Sequence, residues 1–256
     1  MWVYLYPNST ETELKNAYIW EYVPPIPYLC FTAETANSVF QLQKNWYPAS
    51  VEIETSTNWT TWTDYTFWTN ITLVNVWDKI YFRNKSETTT YFSTNSSNYY
   101  KFVISNAYRI AASWDVNYLI NKNSTDTLID SYCFNQLFLW CRGLTMPPEL
   151  PATTLRASCY SNMFQNCDHM VWIPKLPATT VPEYAYYRMF YICSSLKISA
   201  TQDSDYTQEY RMPTTWTWTS STYSLQEMFN QTWWSMAYTT PTINTTYYVH
   251  KDNIIV

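Results

Sequence analysis

Residues 159–170 read Cys159-Tyr-Ser-Asn-Met-Phe-Gln-Asn-Cys-Asp-His-Met170, and two other segments of the chain align with this one. One is Cys133-Phe-Asn-Gln-Leu-Phe-Leu-Trp-Cys-Arg-Gly-Leu144, and the other is Ala185-Tyr-Tyr-Arg-Met-Phe-Tyr-Ile-Cys-Ser-Ser-Leu196. Equivalent residues lie 26 positions apart, and so do the linking stretches Pro148-Glu-Leu-Pro-Ala-Thr-Thr-Leu155 and Pro174-Lys-Leu-Pro-Ala-Thr-Thr-Val181. A fixed period of this length is typical of repeat proteins.

Each 26-residue unit predicts one short helix and one extended segment. Cys159, Met163, Phe164 and Cys167 follow the i, i+4, i+5, i+8 spacing of an amphipathic helix, whereas the prolines of the linking stretches favour extended backbone. Stacked units would cover each other's apolar faces, so we expect a solenoid over residues 128–200. The predicted repeat core is Cys133, Phe138, Cys141, Leu144, Cys159, Phe164, Cys167, Met170, Phe190, Cys193 and Leu196.

The pattern Phe-x-x-Cys-x-x-Leu occurs at residues 138–144 and 190–196, and Leu-Pro-Ala-Thr-Thr lies between units. This combination resembles the BspA-like leucine-rich-repeat proteins of bacterial surfaces and of gut bacteriophage and prophage genes. The resemblance covers residues 128–198, and Met170 replaces the usual leucine in the middle unit. It implies a leucine-rich-repeat-like solenoid and a role in adhesion and recognition rather than catalysis.

Residues 28–110 carry a different pattern of short, mostly alternating runs rich in β-branched and aromatic residues. These runs predict a β-sandwich, and the fold class is therefore α+β, mostly β. The stretch from Thr55 to Tyr65 resembles the hairpins of Ig-like or fibronectin-like modules, with Trp62 expected in the core. The predicted strands are Ser38-Val-Phe-Gln-Leu-Gln43, Val51-Glu-Ile-Glu-Thr55, Ile71-Thr-Leu-Val-Asn-Val76, Lys79-Ile-Tyr-Phe-Arg83 and Tyr99-Tyr-Lys-Phe-Val-Ile104.

Three further regions flank these two domains. Residues 1–27 predict an attachment segment that ends in the Pro-rich connector Val23-Pro-Pro-Ile-Pro27. Residues 111–127 predict a capping linker with a short helix. Residues 201–256 predict a degenerate repeat, visible in Leu225-Gln-Glu-Met-Phe229, and a C-terminal cap formed by a final strand.

Composition excludes several classes of partner. The formal charge of -5 and the scattered Lys and Arg residues argue against nucleic acid. No stretch has the length and apolarity of a membrane span, and the N-terminus lacks the pattern of a signal peptide, so we expect no membrane insertion. Because five of the six cysteines fall at fixed positions of the repeat rather than in metal-like pairs, the cysteines predict buried free thiols and no metal site.

Glycine is almost absent, since the chain has one Gly and 14 Trp. An ordinary domain holds about 7% glycine. Several tryptophans lie where a turn favours glycine, and one hypothesis is that these codons are UGA in a genome that reads UGA as glycine. The alternative is an exposed tryptophan-rich ligand surface. The positions concerned are Trp46, Trp59, Trp68, Trp77, Trp114 and Trp140.

The sequence predicts no catalytic residue and no cofactor. Only two histidines occur, His169 and His250, and neither accompanies a nucleophile or carboxylate motif. A loop that cradles phosphate needs glycines that this chain lacks. We therefore expect a protein that is not an enzyme.

The expected function is a recognition or adhesion module of a bacterial surface or a bacteriophage virion. It would bind a protein or a glycan through the exposed face of the repeats. The alternative is a structural spacer or virion decoration protein without a ligand. The candidate contact residues are Glu149, Arg156, Tyr160, Lys175, Glu183, Tyr184, Tyr186 and Tyr187.

Overall fold

The computed structural model describes residues 28–45, 51–90, 92–128, 130–216, 223–232 and 240–256. The predicted attachment segment and connector, residues 1–27, lie outside this part of the chain, as does Trp46. In the described ranges the strands are β1 (Leu29–Ala33), β2 (Ser38–Lys44), β3 (Ile53–Ser56), β4 (Thr63–Asp64), β5 (Ile71–Leu73), β6 (Lys79–Asn84), β7 (Tyr100–Ile104), β8 (Ile110–Ser113), β9 (Leu144–Met146), β10 (Trp172–Ile173), β11 (Thr180–Val181), β12 (Ile198–Ser199), β13 (Tyr206–Arg211), β14 (Thr215–Trp216), β15 (Thr246–His250) and β16 (Ile254–Ile255).

The N-terminal half of the described chain forms two sheets. The larger sheet has the strand order β4-β3-β6-β1-β8-β9, and the smaller one has the order β5-β2-β7. All of their pairings are antiparallel except that of β8 with β9. The five runs of alternating residues that predicted strands therefore correspond to β2, β3, β5, β6 and β7.

Four phenylalanines hold the two sheets face to face. Phe31 and Phe82 come from the larger sheet, and Phe40 and Phe102 come from the smaller one. The ring centroids of Phe31 and Phe102 are 4.6 Å apart, and those of Phe82 and Phe102 are 5.4 Å apart. Every second residue of β2 and β7 is buried, which is the alternation that the sequence shows. Tilted and edge-on aromatic contacts add to the free energy gained by burial.

Trp62 is half-buried outside the main core, so its prediction as a core residue is wrong. Its ring contacts Tyr28 edge-on, with centroids 4.8 Å apart. The guanidinium carbon of Arg83 lies 3.8 Å from the Trp62 ring centroid, and Arg83 also pairs with Glu54 at 2.5 Å. A cation–π contact of this kind holds the indole against the outer face of the sheet.

The predicted helix of the 26-residue unit is wrong, and so is the helix-plus-strand solenoid, because the described part of residues 128–200 contains no α-helix. The chain forms consecutive four-residue turns instead, in four stretches that we name turn segments one to four: residues 131–141, 157–167, 183–193 and 223–232. The fold class is accordingly almost entirely β strand and turn. The described helical element is a 3-10 helix, Val116–Leu119, within the region predicted as a capping linker.

The helix prediction is wrong because a helix and a series of four-residue turns give nearly the same spacing of buried residues. In turn segment two, Ser158, Asn162 and Asn166 have positive φ angles of 57°, 54° and 61°, which a right-handed helix does not permit. A four-residue turn places residues i, i+4 and i+8 on one side, as a helix nearly does. Cys159 and Cys167 are therefore both buried on one side of the segment, although the backbone is not helical.

Backbone hydrogen bonds join each turn segment to the next. Phe138 N–H donates to the Met163 carbonyl, and Phe164 N–H donates to the Met189 carbonyl, both at 2.9 Å. Intervening amides bond within their own segment, as Met163 N–H does with the Tyr160 carbonyl at 3.2 Å. Successive amide groups thus bond in turn to a carbonyl of their own segment and to a carbonyl of the next segment. These hydrogen bonds satisfy the buried backbone without a helix or a long strand.

Aromatic rings form columns through the turn segments. Phe102, Phe138, Phe164, Phe190 and Phe229 stack in order, with centroids 5.2–5.7 Å apart and ring planes within 16° of parallel. All five side chains are fully buried. The 26-residue spacing therefore sets the register of the three middle rings, Phe138, Phe164 and Phe190. A second column contains Phe134, Tyr160 and Tyr186.

The cysteines are buried free thiols, as predicted. Cys167 Sγ–H donates to the Phe138 carbonyl at 3.2 Å, and Cys193 Sγ–H donates to the Phe164 carbonyl at 2.9 Å. Burial raises the pKa of Cys159 to about 12, which keeps this side chain a neutral thiol at physiological pH. The thiols pack the interior and leave no reactive thiolate at these positions.

The remaining predicted core residues are also buried. Leu144, Met170 and Leu196 have no exposed surface, and they join the two sheets and the turn segments in one continuous hydrophobic core. The pairing of β8 with β9 connects the same two regions. The predicted final strand is present as β15, which lies between β12 and β13, and β16, which pairs with β10.

Candidate interaction surface

Neither histidine forms part of a catalytic or metal cluster. Among the described residues, no group of three or more His, Cys, Asp or Glu side chains could hold a metal ion. His169 Nε2 lies 2.6 Å from Arg109 Nη2, which donates to it, so the ring carries its proton on Nδ1 and donates to the Arg142 carbonyl at 2.8 Å. His250 packs edge-on against Tyr206, with centroids 5.0 Å apart.

The eight predicted contact residues fall into two groups. Tyr160 and Tyr186 are each 1% exposed, and their rings stack with centroids 5.9 Å apart, so the prediction that they contact a partner is wrong. They occupy the inward position of a turn that Phe134 occupies in turn segment one, a position that the helical interpretation assigned to the surface. The other six side chains are exposed or half-buried: Glu149, Arg156, Lys175, Glu183, Tyr184 and Tyr187.

Turn segments three and four present a cluster of aromatic and charged side chains, which we name the tyrosine–arginine patch: Tyr184, Tyr187, Arg188, Tyr191 and Glu227. The Arg188 guanidinium carbon lies 5.0 Å from the Tyr187 ring centroid and 5.2 Å from the Tyr191 ring centroid. Glu227 binds the same guanidinium through two hydrogen bonds of 3.1 Å each. Arginine thus lies between two aromatic rings in a fixed orientation.

The turn geometry explains why these side chains lie at the surface. Tyr184, Arg188 and Glu227 all have positive φ angles, between 50° and 55°, and Tyr184 and Arg188 lie four residues apart within turn segment three. Buried residues such as Met189 and Phe190 alternate with them. In segments three and four these three side chains are half-buried, between the core and the solvent. Arg188 N–H also bonds to the Gln226 carbonyl at 3.0 Å, which fixes the relative position of segments three and four.

The charges of the patch compensate each other. The hydrogen bond that Arg188 donates to Glu227 is the main cause of a raised pKa at Arg188, so the guanidinium is protonated at any physiological pH. Burial raises the pKa of Tyr187, so that hydroxyl stays neutral. The patch therefore offers aromatic faces and one oriented ion pair, without a net charge.

Sequence reasoning identified Tyr184 and Tyr187 but missed Arg188, Tyr191 and Glu227. Arg188 lies in the Tyr-Tyr-Arg-Met-Phe stretch of the third unit, where a helix would have made it a solvated residue. Glu227 lies in the degenerate unit, 39 rather than 26 residues further along the chain. A signal was available, because Leu225-Gln-Glu-Met-Phe229 places this glutamate where the third unit has arginine.

A second cluster of interest surrounds Asp115, which lies between β8 and the 3-10 helix. Asp115 Oδ1 accepts a hydrogen bond from Asn117 N–H at 2.7 Å, and Oδ2 accepts one from the Ser124 hydroxyl. Burial nevertheless raises the pKa of Asp115 to about 6, and it also raises the pKa of the neighbouring Glu149. This carboxyl is protonated in the folded chain at pH values where an unfolded aspartate is ionised.

The stability of the chain is expected to fall as the pH rises from about 4 to about 6. In this window the folded chain holds a proton at Asp115 that the unfolded chain has lost, so deprotonation favours unfolding. Asp115 is expected to contribute roughly 1–3 kcal/mol of this change, and Asp115→Asn should remove that contribution while leaving the one from Asp130, whose pKa burial also raises to about 6. Urea unfolding at several pH values measures the slope. Asp126→Asn, an exposed neighbour, serves as the control, and equal slopes in the Asp115→Asn and unsubstituted chains would contradict this assignment.

The fold and the patch define an almost all-β protein with stacked turn segments and a half-buried cluster of aromatic and charged side chains. Comparison with protein-family models, with curated proteins and with solved structures gave no significant match. Within the described ranges, no helix has the length and apolar character needed to cross a lipid bilayer.

Proposed function

We propose that this chain is a non-enzymatic recognition module of a bacterial surface or a bacteriophage virion, and that it binds a protein through the tyrosine–arginine patch. The observation that carries this proposal is the position of Arg188 between Tyr187 and Tyr191, where Glu227 fixes it. Tyrosine and arginine are enriched among the residues that supply most of the binding energy at protein interfaces. This composition favours a protein over a glycan as the partner.

The rigidity of the turn segments supports binding. Hydrogen bonds from Arg188 N–H and Phe190 N–H to segment four hold the backbone beneath the patch. The stacked rings of Phe190 and Phe229 lie in the core below it. A surface that is fixed before binding loses less conformational entropy when a partner docks, which raises the affinity.

The sequence resemblance supports a bacterial surface or a bacteriophage virion as the place where the chain acts. Phe-x-x-Cys-x-x-Leu at residues 138–144 and 190–196 is the pattern shared with BspA-like proteins of bacterial and phage surfaces. In this chain the phenylalanine and cysteine of that pattern form the ring column and the thiol contacts of the core. The pattern therefore accounts for packing, and the patch lies on the outer side of the same segments.

The test is binding of the fluorescently labelled chain to intact bacterial cells of several species, before and after protease treatment of the cells, and to a glycan array. We expect saturable binding to cells that protease treatment abolishes. Tyr187→Ala and Arg188→Ala should each raise the apparent Kd by about tenfold or more, because both lie at the centre of the patch. Lys85→Ala, an exposed substitution on the sheets, should leave the Kd unchanged.

Three outcomes would contradict the proposal. Binding that survives protease treatment and also occurs on the glycan array would identify a glycan ligand. Binding that is insensitive to Tyr187→Ala and Arg188→Ala would place the interaction elsewhere on the chain. The absence of saturable binding across the panel would favour the second candidate function, a structural spacer or virion decoration protein, which the continuous ring column from Phe102 to Phe229 also suits.

A further inference from the structure

Five tryptophans adopt a backbone conformation that favours glycine. Trp59, Trp68, Trp77, Trp114 and Trp140 have φ angles of 51°, 71°, 74°, 66° and 65°. These are all the positions at which the turn pattern of the sequence favours glycine, apart from Trp46, which lies outside the described residues. A side chain with a Cβ atom makes this region of backbone space unfavourable by about 1–2 kcal/mol per residue.

Two of these tryptophans occupy the same turn position. Thr69 N–H bonds to the Thr66 carbonyl and Asp78 N–H bonds to the Asn75 carbonyl, each at 3.2 Å, so Trp68 and Trp77 are the third residues of four-residue turns. A positive φ at the third residue defines a type II turn, for which glycine is the usual residue. Both indoles are largely exposed, since Trp68 is 55% exposed and Trp77 is 53% exposed.

Trp77 also lies in a β-bulge between β1 and β6. Trp77 N–H donates to the Ala33 carbonyl at 2.7 Å, and Ala33 N–H donates to the Asp78 carbonyl at 3.0 Å. Trp77 and Asp78 therefore both lie opposite the single residue Ala33. The first residue of such a bulge has a positive φ and is typically glycine. The same position therefore favours glycine for two reasons.

The positive φ angle is a property of these five tryptophans and not of every described tryptophan. Trp62, Trp172 and Trp216 are also described, and none of them has a positive φ. Trp140 lies in turn segment one, and the turn segments have positive φ at ten other described residues. Outside these segments, the non-glycine residues with positive φ in the described ranges, apart from the four tryptophans, are Asn37, Ser124 and Asn244. Asparagine is a residue that tolerates this conformation, whereas a bulky aromatic residue is not.

We infer that the natural protein carries glycine at positions 59, 68, 77, 114 and 140, because its gene encodes them as UGA and its host reads UGA as glycine. Trp62 and Trp172 are genuine tryptophans encoded by UGG, because neither has a positive φ. The inference concerns the identity of these residues and does not depend on the tyrosine–arginine patch. It removes the exposed indoles at 68, 77 and 140 from any ligand surface.

The direct test is the mass of peptides from the protein isolated from its natural source, together with the codons of its gene. We expect peptides lighter by one tryptophan-to-glycine difference at each of the five positions, UGA codons there, and tryptophan with UGG at positions 62 and 172. Tryptophan masses or UGG codons at the five positions would overturn the inference.

A folding experiment provides an independent test on the chain with tryptophan at these positions. Glycine and alanine are each introduced at Trp68 and Trp77, and at Trp216 as a control that is similarly exposed, at 44%, but lies in strand β14. At positions 68 and 77 the glycine variant should have a Tm about 2–4 °C above that of the alanine variant. At position 216 the order should reverse, because glycine weakens a strand. Alanine variants as stable as glycine variants at both 68 and 77 would contradict the turn assignment.

Discussion

Phe164→Ala is expected to lower the free energy of unfolding by about 3–5 kcal/mol, the usual cost of truncating a fully buried aromatic side chain. Phe164 lies at the middle of the ring column, with Phe138 and Phe190 stacked on either side at 5.5 Å and 5.7 Å. The alanine would leave a cavity that both neighbouring rings border. Because backbone hydrogen bonds fix the spacing of the segments, the cavity cannot close by a small shift.

Urea unfolding measures this loss, and two variants control it. Phe164→Leu keeps most of the volume and should cost less than half as much. Gln165→Ala alters the next, half-buried residue and should change the stability by less than about 0.5 kcal/mol. A Phe164→Ala variant as stable as Gln165→Ala would show that the ring column does not exist in solution.

Phe102→Ala is expected to cost a similar amount, about 3–5 kcal/mol, and to weaken both halves of the described chain together. Phe102 belongs to β7, contacts Phe31 of the opposite sheet at 4.6 Å, and stacks on Phe138 of turn segment one at 5.2 Å. Its N–H group also donates to the Leu137 carbonyl at 2.7 Å. The side chain therefore completes the sandwich of the two sheets and begins the ring column.

Amide hydrogen exchange shows whether Phe102→Ala weakens only the sheets or weakens the sheets and the turn segments together. Protection should decrease by the same factor in β2 and in turn segment one, because the two regions share one hydrophobic core. Val103→Ala, on the outward side of the same strand, should change protection in either region by much less. A loss of protection confined to the sheets would indicate that the turn segments fold independently.

The strands and the core of this protein were predictable, because alternation and the 26-residue spacing are visible in the sequence. Residues such as Phe40 and Phe102 alternate with half-exposed neighbours, and Phe138, Phe164 and Phe190 recur at a fixed interval. Both patterns identify buried positions regardless of whether the local backbone is a helix, a strand or a turn. Burial alone, however, does not distinguish a helix from a series of turns.

The backbone of the repeats was not predictable from spacing, since a helix and four-residue turns bury nearly the same positions. The error also affected the candidate surface. A helical interpretation predicted Tyr160 and Tyr186 at the surface, whereas the turns direct both rings into the core. It likewise gave no reason to select Arg188, whose position becomes visible only once segment four is placed beside segment three.

The stacked-turn backbone is the central structural claim, and it positions both the core and the tyrosine–arginine patch. The most direct measurement is the through-hydrogen-bond scalar coupling between amide nitrogen and carbonyl carbon in isotopically labelled protein, observed by NMR. We expect the Phe164 amide to couple to the carbonyl carbon of Met189, across the gap between turn segments two and three. Coupling of the Phe164 amide to the carbonyl of Tyr160 would show the i−4 bond of an α-helix and would contradict the account.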